Sequence, residues 1–128
     1  DFEISIGNSL IVDKTQYSWL NGDKVSFVLQ FVDNTAIFAV EDEPVVYKNV
    51  RGDYTDIFIR TEASKKDSRV EVYNLFFNGK PLKNEIMAIG DTRNVDILWL
   101  RCDGETFALS GTSEMFWDEK PEDDQLSF

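Results

Sequence analysis

Apolar residues recur at every second position along most of this chain. Between residues 24 and 32, Val25, Phe27, Leu29 and Phe31 fall on one side, and Ser26, Val28, Gln30 and Val32 on the other. A period of two marks a strand with one face buried. The same reading predicts strands over residues 2–6, 17–20, 35–40, 45–47, 56–60, 69–77, 95–100, 106–110, 112–117 and 125–128, with 10–12 continuing the first after a bend. Residues 83–88 fit a short strand or a helical turn equally, and the polar stretch 62–68 reads as an exposed loop.

Turn chemistry punctuates the pattern. Asn21-Gly22 and Asp103-Gly104 have the composition of two-residue type I′ hairpin turns, which need positive φ at both positions. Asp33-Asn34 turns the chain into 35–40, Glu41-Asp42-Glu43-Pro44 breaks that strand, and Asn78-Gly79 ends another. No segment sustains a 3.6-residue apolar period. Strands at short spacing with Gly, Asn and Asp between them predict an all-β fold. The expected form is an antiparallel two-sheet sandwich, jelly-roll-like, with residues 1–128 as a single domain.

Composition sharpens this picture. At 128 residues the chain is long enough to bury one core without disulfide staples. Hydrophobic residues at 42% and charged residues at 29% are ordinary globular usage, which argues against disorder. The aromatic content of 13% suits the pleated surface of a sheet.

Charge narrows the partners. With 24 acids against 13 bases, the net charge of −11 argues against nucleic acid and anionic lipid, both bound through positive patches. No stretch approaches the roughly 18 apolar residues of a membrane span. Acidic loops do suit calcium, a hard cation that takes several oxygen ligands. The densest carboxylates lie in the tail, where Asp118, Glu119, Asp123 and Asp124 are the candidate metal ligands. Solvated acids that merely keep the domain soluble are the competing reading.

The chain has no histidine and one cysteine. Serine–histidine, cysteine–histidine and histidine-rich metal sites are therefore ruled out, and no pair of carboxylates stands out for acid–base work. No catalytic residue is assigned, and a non-enzymatic domain is expected. Cys102, directly after the apolar run 95–101, reads as a quiet, partly buried thiol.

Three further features bear on binding. Tyr17, Trp19 and Trp117 are candidates for stacking on sugar rings, with core packing as the alternative. Arg51-Gly52-Asp53 spells an adhesion tripeptide, yet glycine between polar residues is also simply turn composition. Phe2, Ile4 and Ile6 form a terminal alternating strand that can pair within its own sheet or add to the edge of a neighbouring subunit.

The C-terminal half adds a resemblance. Asn74-Leu75-Phe76-Phe77-Asn78-Gly79, Gly90-Asp91-Thr92 with the run 95–100, Phe107-Ala108-Leu109-Ser110-Gly111-Thr112 with Met115-Phe116-Trp117, and Gln125-Leu126-Ser127-Phe128 resemble the W-type choice-of-anchor domains of exported bacterial surface proteins. The resemblance spans roughly the last 55 residues. It implies an extracellular or cell-surface β-rich module and assigns no functional residues. The function expected is adhesion or assembly, by self-association, including filaments or lattices built by strand donation, or with other surface proteins. The alternative is a module binding polysaccharide or a calcium-dependent ligand.

Overall fold

The computed structural model describes residues 2–8, 10–51, 56–102, 106–122 and 125–128. Among them the chain forms β1 (Phe2–Gly7), β2 (Ile11–Tyr17), β3 (Val25–Val32), β4 (Thr35–Val40), β5 (Glu43–Tyr47), β6 (Asp56–Ala63), β7 (Ser68–Phe77), β8 (Lys80–Pro81), β9 (Ile86–Ile89), β10 (Val95–Arg101), β11 (Phe107–Trp117) and β12 (Leu126–Ser127), and no helix. Every pairing is antiparallel. The expected antiparallel sandwich is observed.

One layer is a seven-stranded sheet in the order β5-β4-β3-β11-β7, with β8 and β9 sharing the far edge of β7. β3 and β4 join across Asp33-Asn34, whose φ values of 50° and 59° are the paired left-handed conformations of a type I′ turn. β5 is an edge strand of this sheet and accommodates Pro44, which has no N–H to give a ladder. The facing layer has two parts: β10-β6-β12, which packs over β7 and β9, and the hairpin β1-β2, which packs over β4 and β5. Side chains fasten β2 to the β5 edge. The Val46 N–H donates to Asp13 Oδ2 at 2.9 Å, and the Thr15 hydroxyl donates to Glu43 at 3.2 Å.

Phe27, Phe31, Val70, Val72, Leu75, Leu109 and Met115 of the large sheet meet Ile4, Ile57, Ile59 and Leu126 of the facing layer in one core. Cys102 is buried in it. A bulge keeps the inward face of β7 continuous. Three steps from Tyr73 to Phe76 lie opposite two steps from Thr112 to Ser110, and Asn74 takes up the extra residue with φ 54°. The buried positions accordingly switch from Val70 and Val72 to Leu75, one residue out of phase.

Several sequence expectations are corrected. Residues 10–12 do not extend β1; most of the stretch opens β2, which returns along β1 as its hairpin partner, and Tyr17 ends β2 rather than opening a strand. Asn21-Gly22 is not a type I′ hairpin turn. Only Gly22 has positive φ (79°), β2 and β3 do not pair, and the Asn21 side chain instead binds the main chain of Trp117, donating to its carbonyl at 2.7 Å and accepting from its N–H at 3.1 Å. The strands on either side of Asp103-Gly104 do not pair, since β10 and β11 lie in different layers; residues 103–105 themselves are outside those described. Gly111 does not divide two strands but lies within the continuous β11. The 62–68 stretch is not wholly an exposed loop: β6 runs on through the buried Ala63, and the buried Ser68 already begins β7. Of the ambiguous stretch 83–88, residues 86–88 are strand, the start of β9, while 83–85 are neither strand nor helix.

Candidate functional site

The facing layer is interrupted. Among the described residues β1 pairs only with β2, and β12 only with β6. Between them lies a groove of about 400 Å³. Residues 2–5 of β1 form one wall and residues 126–128 the other, with Trp19, Phe38 and Met115 beneath. The polar side chains at this groove are Glu3, Ser5, Gln16 and Ser127.

Aromatic rings assemble this place from distant parts of the chain. Trp19 meets Phe2, Tyr17 and Phe128 edge-to-face at 5.6, 4.9 and 6.0 Å between centroids, the geometry in which a positive ring edge faces a negative ring face. Phe128 also lies 4.9 Å from Phe27 and 6.2 Å from Phe38. The Trp19 indole N–H is buried and has no hydrogen-bond partner among the described residues, an uncommon state for a buried donor. Tyr17 has its hydroxyl pushed above its ordinary titration range, first by burial and then by the charges of Glu41, Asp23 and Asp42.

The structure separates the aromatic residues singled out in the sequence. Trp19, only 6% exposed, is core and cannot offer a face to a sugar. Tyr17 is half-buried against it. Trp117 is half-buried at the end of β11 and lines a different recess with Asn21 and Arg69. Of the terminal strand, Ile4 is buried while Phe2 and Ile6 are half-buried, all three paired into the β1-β2 hairpin. The exposed aromatic pair lies elsewhere, on the outer face of β6 and β10, where Phe58 is 64% and Trp99 54% exposed. Alternation already pointed Phe58 away from Ile57 and Ile59. It gave no such signal for Trp99, because the 95–100 run is apolar at nearly every position.

Asp118 and Glu119 are exposed beside Lys65 and Lys66, with Glu119 Oε2 3.9 Å from Lys65 Nζ. Among the described residues no three acidic or cysteine side chains are grouped closely enough to hold a metal ion. Asp123 and Asp124 lie outside the described residues, as do Gly52 and Asp53 of the adhesion tripeptide. Among the described residues no helix is long and apolar enough to cross a membrane.

No protein-family model, no curated protein and no solved structure matches this chain.

Proposed function

We propose that this domain is a non-enzymatic recognition and assembly module of an extracellular or cell-surface protein, and that it takes an extended segment of another chain into the groove between β1 and β12. The observation that carries the reading is the pair of strand edges, unpaired among the described residues, that border one groove lined with aromatic rings. Unpaired edges present rows of N–H and C=O groups, and strand addition supplies partners for them. An inserted strand would hydrogen-bond to both walls and set alternate side chains over the half-buried Phe38.

In this reading β1 is an acceptor. The opposite role, donation of Phe2, Ile4 and Ile6 to a neighbour, requires the β1-β2 hairpin to open and Ile4 to leave the core. The net charge of −11 favours an occupant that carries basic residues on its outward positions.

A synthetic peptide alternating valine with lysine tests the proposal by nuclear magnetic resonance titration. Saturable shifts of the amides of residues 2–5 and 126–128, together with a change in Trp19 emission, are expected. Absence of saturable shifts, or shifts confined to other strands, would overturn it.

A further inference from the structure

We infer that the outer face of β6 and β10 is a second binding surface, for a neutral polysaccharide of β-1,4-linked pyranose rings. Trp99 and Phe58 stand directly opposite one another across the antiparallel pair. Their rings are parallel to within 10°, with centroids 6.2 Å apart. Both are more than half exposed, as is Ile97 beside them at 54%. Large apolar side chains gathered on one solvent face mark a surface that binds something.

The pair is held before any ligand arrives. The Trp99 indole N–H donates to Asp56 Oδ1 at 2.7 Å, and the Arg101 guanidinium lies 5.3 Å from the centre of the same ring. Strand backbones on both sides fix the register, so little side-chain freedom is left to lose on binding.

The chemistry of the surroundings selects the ligand class. A pyranose ring is apolar on its C–H faces and rimmed by hydroxyls. Here two aromatic rings are flanked by two carboxylates, Asp56 and Glu62, and two guanidiniums, Arg60 and Arg101, with Arg60 and Glu62 paired at 2.6 Å. The aromatic rings can take the C–H faces, and the charged groups can donate to or accept from the hydroxyls. Those four charges cancel, so the surface has no local pull on a polyion of either sign. The net charge of −11 repels anionic polymers, and it repels a second copy of this chain equally. A neutral ligand meets neither obstacle. Successive rings of a β-1,4-linked chain present C–H faces along a flat ribbon, and Phe58 and Trp99, neighbours on adjacent strands and each more than half exposed, offer ring surface to them.

Native electrophoresis in gels containing hydroxyethyl cellulose tests the inference, with alginate gels as the anionic comparison. Retardation in the neutral gel and none in alginate is expected. Trp99→Ala and Phe58→Ala should each weaken binding more than tenfold with the melting temperature unchanged, while Phe76→Ala, which removes an exposed ring from the other layer, should retain it. Unaltered mobility in the neutral gel, or retardation that survives Trp99→Ala, overturns the inference. So does concentration-dependent light scattering abolished by Trp99→Ala, which would give the face to a second copy. None of these measurements depends on the groove between β1 and β12.

Discussion

Glu114 is an acidic residue only 8% exposed in the middle of a strand, and the Tyr73 hydroxyl across the ladder donates to it. A buried carboxyl group needs such a partner, because leaving water unpaired is costly. Tyr73→Phe removes the donor but keeps the ring, and should cost about 1–3 kcal/mol, the penalty for stranding a buried polar group. The same bond pushes the Tyr73 pKa up to about 12, with burial adding to the effect. An unfolded tyrosine titrates near 10. The folded group therefore holds its proton more tightly, and its contribution is complete below pH 10 and lost as pH rises towards 12. Urea midpoints measured across that window should show the gap between the native chain and Tyr73→Phe closing as pH rises. Trp19 illustrates a different limit at this scale. Its aromatic identity suggested a ligand platform, but exposure depends on which strands cover it, and those come from both ends of the chain.

Strand alternation was the most legible level. It located β3, β4 and β10 nearly to their ends but stopped β6 three residues short, and the β3-β4 turn followed from two residues that accept positive φ. It could not locate the bulge at Asn74, because an extra residue in β7 shows only against the partner strand β11. Nor could it assign layers, since the same alternating pattern serves either sheet. Close approaches between elements were equally hidden. A Cβ at Gly90 would lie 1.7 Å from the Lys65 carbonyl oxygen, whereas one at Gly111 would meet only side-chain atoms, Leu75 Cδ2 at 2.7 Å and Phe27 Cζ at 2.9 Å. Side chains can shift where a backbone cannot. Gly111→Ala should cost about 1–3 kcal/mol by overpacking. Gly90→Ala should cost more, with the two ranked by chemical denaturation; equal costs would show that the 65–68 turn yields easily.

At the scale of the whole molecule, the fold class was readable and the groove was not. Its walls are residues 2–5 and 126–128, and nothing local connects them. The phenylalanine at each wall makes sense as a core residue in isolation. Only the closed sandwich shows that Phe2 and Phe128, from the two ends of the chain, both pack edge-to-face with Trp19. Likewise Phe58 and Trp99 become a pair only once β6 and β10 are in register.

The position of β11 has a consequence in time. This strand lies between β3 and β7, yet more than 75 residues separate Phe107 from its partner Phe31. The middle of the large sheet is therefore the last of its strands to emerge in sequence, and β3 and β7 have no direct ladder to hold them together beforehand. Chains dominated by such distant pairings fold in milliseconds to seconds, because loop closure must precede the contacts that repay it. Stopped-flow tryptophan fluorescence should find refolding in that range. A chain ending before Phe107 should give the circular dichroism of an unfolded polypeptide; a folded fragment would show that β11 is an addition to a finished sheet instead of its keystone. Synthesised from its N-terminus, this domain should then stay unfolded until β11 has been made.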